Sequence, residues 1–107
     1  VSIRVSTMPL TPEKKVKNKV TQLLKLHYIY YFYPFSHGYG SAGVPDIIAC
    51  YKGRFIAIEC KAGKGKVTTL QEKNLTDIRA CGGIALVINE DNIDDISTQL
   101  DIIDSAK

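Results

Sequence analysis

The centre of the chain reads Gly43-Val44-Pro45-Asp46-Ile47-Ile48-Ala49-Cys50-Tyr51-Lys52-Gly53-Arg54-Phe55-Ile56-Ala57-Ile58-Glu59-Cys60-Lys61. Two apolar runs of strand length flank Lys52-Gly53, and the glycine supplies the backbone freedom that a tight turn needs. If these two residues form the turn, Tyr51 faces Arg54 and the same register places Asp46 opposite Glu59. The stretch therefore predicts an antiparallel hairpin with two carboxylates side by side.

One face of this hairpin carries the residues that matter most for function. Because side chains alternate between faces, the face of the two carboxylates holds Asp46, Ile48, Cys50, Phe55, Ala57, Glu59 and Lys61, and we expect it to be mostly buried. Directly opposed carboxylates repel, but they can share a divalent cation, since Mg²⁺ takes oxygen ligands at about 2.0–2.1 Å. The pattern favours a metal site with Lys61 beside it. The alternative is a solvated rim in which Glu59 and Lys61 merely pair.

Gly43-Val44-Pro45-Asp46 followed by Glu59-Cys60-Lys61 resembles the PD-(D/E)xK nuclease signature. Within it, the chain resembles the stand-alone phage or bacterial VRR-NUC (virus-type replication-repair nuclease) group, which is related to Holliday junction resolvases. The similarity runs from about Glu13 to Gln71. It implies an α/β fold with a restriction-endonuclease-like core, in which a mixed β-sheet is flanked by helices in the order α-β-β-β-α-β-α.

The resemblance also implies roles for individual residues. Asp46, Glu59 and the main-chain carbonyl of Cys60 would hold Mg²⁺ or Mn²⁺, and Lys61 would orient a water or stabilise charge on the phosphate. Glu13 would bind a second metal or a metal-bound water. The implied reaction is metal-dependent hydrolysis of DNA phosphodiester bonds. A non-catalytic DNA-binding subunit of the same fold and a general or RNA-directed endonuclease are the alternatives.

Two helices are predicted to flank the hairpin. Thr11-Pro12-Glu13 is typical of a helix start, and Glu13 lies on the inward stripe of that helix, at the spacing of the apolar residues Val16, Val20 and Leu24. As a first-turn acid, Glu13 could instead only complement the helix dipole.

The second flanking helix is predicted over residues 68–81, before Gly82-Gly83. Either Thr68 with Gln71 or Thr69 with Glu72 fits a capping box at its start. Gln71 is therefore a cap or a site residue, and the resemblance favours the site. A buried strand over residues 84–88 and a closing amphipathic helix are predicted to follow.

Charge divides the chain into two parts. Residues 1–66 contain 11 Lys and Arg against 3 acids, whereas residues 67–107 contain 3 against 8. A cationic surface around a metal centre is what a phosphate-backbone binder needs, so the predicted partner is DNA. The predicted DNA contacts are Lys14, Lys15, Lys17, Ser36, His37, Ser41, Lys52, Lys64 and Lys66. The acids near the end, such as Asp101 and Asp104, are predicted to face solvent.

The run Tyr28–Phe35 is aromatic on both faces of a predicted strand. Such a strand is central in a sheet or covered by a partner, and an aromatic platform for stacking bases is the other interpretation. Together with Val16, Val20 and Leu24, this run offers more apolar surface than one small core needs. We therefore expect a homodimer, whose two sites suit the two symmetric cuts that resolve a four-way junction in repair, recombination or replication.

The three cysteines, Cys50, Cys60 and Cys81, lack the spacing of a zinc site, and a disulfide framework is not indicated. This usage indicates a reducing, cytoplasmic setting, inside a bacterial host if the protein is phage-encoded. No stretch approaches the roughly 20 apolar residues of a membrane span. We expect residues 1–10 to be a flexible N-terminal arm or an expression remnant, and residues 11–107 to form one nuclease domain.

Overall fold

The structure, a computed structural model, describes residues 10–35 and 43–106. Its elements in chain order are α1 (Pro12–Leu26), β1 (Tyr30–Phe32), β2 (Ile47–Tyr51), β3 (Arg54–Cys60), α2 (Thr69–Ala80), β4 (Ile84–Ile88) and α3 (Asp94–Ser105). The α/β class and the predicted order of elements are confirmed. Residues 1–9 of the predicted N-terminal arm lie outside the described residues. None of the helices described is both long enough and apolar enough to cross a bilayer.

The four strands form one mixed sheet in the order β1-β2-β3-β4. β1 and β3 both run antiparallel to β2, whereas β4 is parallel to β3. The turn between β2 and β3 consists of Lys52 and Gly53, both with positive φ (49° and 79°), which is the backbone of the type I′ turn that suits two-residue hairpins. Tyr51 pairs with Arg54 and Ile47 with Ile58. The register predicted from the Lys-Gly pair is confirmed.

One face of the sheet forms the main core. α1 and α3 supply Val16, Val20, Leu24, Ile96, Leu100 and Ile103, which cluster with Ile47, Ala49, Ile56, Ile58, Cys60 and Ile88 of the strands. Three of these residues, Val16, Val20 and Leu24, were expected to offer surface to a second subunit. That expectation is wrong, because each is at most 2% exposed within its own chain.

The opposite face, which carries Asp46 and Glu59, is only partly covered. α2 packs against β4, and the buried residues on this side are Ala57, Glu59, Leu75 and Ala85. The expectation that this face is mostly buried is met only in part, since Ala57 and Glu59 are buried but Cys50 is exposed and Phe55 is 47% exposed. The reason is one of coverage: α2 contacts β4, whereas α1, which contacts β1 and β3, packs on the opposite, core face of the sheet.

The aromatic run also differs from its prediction. Only Tyr30–Phe32 is strand, and β1 is an outer strand of the sheet rather than a central one. Tyr28 has a positive φ of 56° and lies in the turn after α1. Tyr28 and Tyr30 are largely exposed, and Phe32 is about half exposed. The interpretation of this run as core is therefore wrong for most of its aromatic residues, although Ile29 belongs to the core cluster and Tyr31 packs against it. A covering partner remains a prediction.

Candidate metal centre

Three acids meet at one end of the sheet. Asp46 immediately precedes β2, Glu59 lies in β3, and Glu13 lies in the first turn of α1. One carboxylate oxygen from each lies within 4.8 Å of the other two. These three are the only acids in residues 1–66, so every acidic residue of the basic part of the chain is in this cluster. The structure brings together the carboxylates that the hairpin register and the helix stripe indicated.

Asp46 is held in place by the backbone of the opposite strand. Its Oδ2 accepts a hydrogen bond of 2.8 Å from the Cys60 N–H. Extending the hairpin register places Pro45 opposite Cys60, at a position where cross-strand partners normally exchange two hydrogen bonds. Proline has no N–H, so Pro45 cannot donate to the Cys60 carbonyl. This leaves the Cys60 oxygen without its usual cross-strand donor, beside the two carboxylates.

Glu59 is the buried member of the cluster, with a relative exposure of 2%. Its Oε2 accepts a hydrogen bond of 3.1 Å from Gln71 Nε2. Among the buried side-chain nitrogen and oxygen atoms that the structure describes, its Oε1 is the one without a hydrogen-bond partner. Burial, and next the nearby charge of Asp46, raise the pKa of Glu59 to about 7. A buried carboxylate oxygen without a partner is costly to keep ionised.

Lys61 supplies the nearest positive charge. Its side chain is 14% exposed, and its Nζ lies 3.7 Å from Glu59 Oε2 and 3.9 Å from Glu13 Oε1. Its backbone is fixed by a hydrogen bond from its N–H to the Ile88 carbonyl of β4. The ammonium therefore lies between two carboxylates at ion-pair distance and is largely withdrawn from solvent.

Gln71 is both a helix cap and a neighbour of the cluster. The structure selects the box of Thr68 and Gln71: Gln71 N–H donates to Thr68 Oγ1 (3.1 Å), and Gln71 Oε1 accepts from Thr68 N–H (2.8 Å). The remaining amide group donates to Glu59. The two roles that the sequence left as alternatives are thus combined in one side chain, which ties the start of α2 to β3.

The donor set fits a hard divalent cation. All the available ligand atoms are oxygens, from two or three carboxylates and a main-chain carbonyl, which are the donors that Mg²⁺ and Mn²⁺ take. A cation there would satisfy Glu59 Oε1 and offset the repulsion between the carboxylates. A cavity of about 380 Å³ opens beside the cluster, lined by Thr11, Pro12, Glu13, Lys61, Ala62 and Gly65. Lys61 and Glu13 are thus accessible from outside the cluster.

The predicted DNA contacts lie in different places. Lys14 and Lys15 are exposed on the first turn of α1, next to Glu13 in the chain, and Lys64 and Lys66 are exposed in the loop that follows Lys61. Lys17 lies over the Tyr33 ring, 4.4 Å from its centroid. Ser36, His37 and Ser41 lie outside the described residues.

Lys52 does not adjoin the cluster. It lies in the hairpin turn, roughly 20 Å from Asp46 at about 3.3 Å per residue, and it forms an ion pair with Asp104 of α3. Asp104 also accepts a hydrogen bond from the Tyr51 hydroxyl (2.8 Å). These two donors hold the pKa of Asp104 below its usual range. This contact anchors the hairpin tip to α3, and local sequence gave no signal for it because the partners are more than 50 positions apart.

The cysteines behave as separate thiols. Cys50, Cys60 and Cys81 are all free. Burial, followed by the charges of Asp46 and Glu59, raises the pKa of the Cys60 thiol to about 12, so this thiol stays protonated at neutral pH.

Gly43 is a position whose importance the sequence did not reveal. Its φ is +80°, and a Cβ there would lie 2.6 Å from the Leu70 carbonyl carbon and 2.7 Å from the Gln71 nitrogen. The chain entering the hairpin thus passes directly against the start of α2, where only glycine fits.

Gly43→Ala is expected to lower the free energy of unfolding by about 2–3 kcal/mol and to weaken Mn²⁺ binding, because the clash moves Gln71 away from Glu59. Gly53→Ala is the matched control: its φ is +79°, but nothing lies within 4 Å of its Cβ position, so it should lose only about 1 kcal/mol. Urea unfolding and Mn²⁺ titration measure both effects. If Gly43→Ala and Gly53→Ala lost the same free energy of unfolding, the close approach of Gly43 to α2 would not contribute to stability.

Comparison with protein-family models and with curated proteins found no match to this chain.

Proposed function

We propose that this protein is a Mg²⁺- or Mn²⁺-dependent endonuclease that hydrolyses DNA phosphodiester bonds. The observation that carries the proposal is the buried, unpartnered Oε1 of Glu59 in a cluster with Asp46 and Glu13. The exposed lysines around this cluster provide the charge that attracts a polyanion. The resemblance of Pro45-Asp46 and Glu59-Cys60-Lys61 to the PD-(D/E)xK signature supports the same assignment.

Each residue of the proposed metal centre has a separate role. Asp46, Glu59 and the Cys60 carbonyl would hold the cation, which would supply Lewis-acid activation of a water and offset negative charge on the phosphate. Lys61 orients that water or stabilises the charged oxygens of the transition state. Glu13, whose side chain is 51% exposed, lines the cavity and would hold a second cation or orient a water. Gln71 positions Glu59.

The proposed substrate is branched DNA, with the four-way junction as the preferred form. No second domain for reading a branch is found in residues 10–35 and 43–106, so substrate shape would have to be recognised by the arrangement of identical sites on a symmetric assembly. The proposed setting is the cytoplasm, where Mg²⁺ and DNA are both present.

A panel of end-labelled substrates tests the reaction. Linear duplex, flapped and four-way DNA, and matched RNA, are incubated with Mg²⁺, Mn²⁺ or EDTA. Cleavage of DNA that requires the metal is expected, with the junction cut fastest. Binding without cleavage by the wild-type protein would support a non-catalytic subunit instead, and faster cleavage of the RNA set would support an RNA-directed enzyme.

The exposed lysines after β3 should contribute to DNA binding through counterion release. The double variant Lys64→Ala/Lys66→Ala is expected to bind DNA more weakly in EDTA and to lower the slope of log K against log salt by about 1.4–1.8, since each phosphate contact contributes about 0.7–0.9. Fluorescence anisotropy across a salt series measures this slope.

Two control variants accompany that measurement. Lys25→Ala removes an equally exposed lysine from the last turn of α1, at the other end of that helix, roughly 18 Å from Glu13 at 1.5 Å per residue. Asp101→Asn removes an exposed acid of α3. Asp104 is unsuitable because it anchors Tyr51 and Lys52. If either control changed the slope as much as the double variant, the interface would not lie beside the cluster.

A further inference from the structure

The two outer strands of the sheet, β4 and β1, differ in whether their outward-facing backbone groups are hydrogen-bonded. In β4, the Ile88 carbonyl accepts a hydrogen bond from the N–H of Lys61, the residue after β3. Because successive carbonyls along a strand point in opposite directions, those of Ala85 and Val87 face away from β3. Both are capped by side chains: Arg79 Nη2 donates to the Ala85 oxygen and Asn92 Nδ2 to the Val87 oxygen, each at 2.9 Å. Two outward carbonyls of the β4 edge are thereby already bonded, which makes this edge a poorer acceptor for another strand.

The β1 edge has no such protection in the part of the chain that the structure describes. Tyr51 and Arg54 flank a two-residue turn, so they form a hydrogen-bonded pair, and such pairs alternate along an antiparallel ladder. Tyr30 and Phe32 therefore bond to Cys50 and Ile48 of β2. The N–H and C=O of Tyr31 point outward, and no described side chain caps them.

The side chains of this edge add a large apolar surface. Nothing charged occurs between Tyr28 and Phe35, although exposed edges usually carry lysine or other charges that discourage pairing. The exposed fractions are 96% for Tyr28, 70% for Tyr30, 46% for Phe32, 47% for Tyr33 and 81% for Phe35. At roughly 200 Å² per aromatic side chain, they amount to about 700 Å², close to the ~800 Å² per partner of a standard interface.

We propose that β1 is the contact between two copies of this chain, which pair antiparallel about a two-fold axis at Tyr31 and join their sheets into one of eight strands. A two-fold axis at Tyr31 makes the edge self-complementary, because each Tyr31 donates to and accepts from the Tyr31 of the other copy. The same register places Tyr30 opposite Phe32 of the other copy, so four aromatic rings meet across the joint. The proposal rests on the edge alone and does not depend on the activity of the acidic cluster.

A nucleic acid strand is the competing occupant. Surfaces that stack bases combine aromatic rings with a cationic groove, and residues 28–35 contain no Lys or Arg. The one described cation over these rings is Lys17, at Tyr33. The open backbone groups of Tyr31 match another strand, which presents an N–H and a C=O, better than they match bases.

Sedimentation equilibrium and site-specific crosslinking test the interface. The wild-type protein should have about twice the 11.8 kDa mass of one chain. With Cys50 and Cys81 replaced by Ser, Tyr31→Cys should form an intermolecular disulfide on oxidation, because a hydrogen-bonded pair places the two Cα atoms about 5.5 Å apart. Tyr33→Cys is the matched control, since the register moves its two copies beyond disulfide reach.

The possible outcomes separate the alternatives. A dimer that crosslinks through position 31 and not through position 33 supports the proposal. A monomer at 100 µM, or equal crosslinking at both positions, overturns it. A monomer whose affinity for a fluorescent oligothymidylate falls several-fold in Tyr30→Ala/Phe32→Ala would also overturn it and would assign this surface to base stacking.

Discussion

Replacing Asp46 by Asn is expected to reduce metal-dependent DNA cleavage by at least about 10³-fold while the chain stays folded. The Asn carbonyl oxygen can still accept the hydrogen bond from Cys60 N–H, so the local structure survives, but one negative charge is lost from the metal ligands. Initial cleavage rates and Mn²⁺ affinity by calorimetry measure the effect. Asp101→Asn, an exposed acid on α3, is the matched control and should cleave at the wild-type rate.

Lys61→Met separates the chemistry from metal binding. Methionine keeps much of the apolar stem and removes the ammonium that lies 3.7 Å from Glu59 and 3.9 Å from Glu13. Mn²⁺ should bind as well as in the wild type, or more tightly, because a competing cation is gone, whereas cleavage should fall about 10²–10³-fold. Lys25→Met, in the last turn of α1 and away from the cluster, is its control. Wild-type cleavage by either Asp46→Asn or Lys61→Met would refute the assignment of the centre.

Glu59→Gln is expected to stabilise the metal-free protein at pH 8 while abolishing tight metal binding. The folded-state pKa of Glu59 is about 7 against an ordinary 4.5, so the folded state binds more protons than the unfolded chain between these values. The contribution of Glu59 to stability is therefore present below pH 4.5 and is lost as the pH rises toward 7. The loss amounts to about 3 kcal/mol at pH 8.

Urea unfolding in EDTA at pH 5 and pH 8 measures this difference between wild type and variant. Glutamine has no proton to lose, and its oxygen can keep the hydrogen bond from Gln71, so the advantage of the variant should be about 2–3 kcal/mol larger at pH 8 than at pH 5. Asp101→Asn should show no such pH dependence. In the wild type, Mn²⁺ should stabilise more at pH 8 than at pH 5. If Glu59→Gln were no more stable than wild type at pH 8, the ionised carboxylate of Glu59 would not be destabilising the folded state.

The hairpin was the most predictable part of the fold, because its register follows from one local feature. Lys52-Gly53 can form a two-residue turn, and the turn fixes the pairs from Tyr51–Arg54 to Ile47–Ile58, next to which Asp46 and Glu59 lie. Helix starts were also predictable, because capping by Thr11 and Thr68 involves neighbours three positions away. The acidic cluster followed from the hairpin and from the apolar spacing that places Glu13 on the inward side of its helix.

The parts that the sequence did not reveal depend on distant segments. Whether Phe55 is buried depends on how far α2 extends across the sheet. The alternation of side chains along β3 does not predict the position of that helix. Whether an aromatic run is central or at an edge depends on strand order, so the composition of Tyr28–Phe35 suited both. The close approach of Gly43 to Leu70 and Gln71 likewise joins two segments that are far apart in the chain.

The hairpin has a consequence for the order in which the molecule assembles. Cys60 and Asp46 are 14 positions apart, so their meeting is a contact of low sequence separation, and hairpins of this kind close in about 1–10 µs. The parallel pairing of β3 with β4 requires the crossover through α2, and its larger loop-closure entropy makes it slower. Asp46, Glu59 and Cys60 are therefore brought together by the contact of lower sequence separation, and the parallel pairing with β4 is the slower step of the sheet.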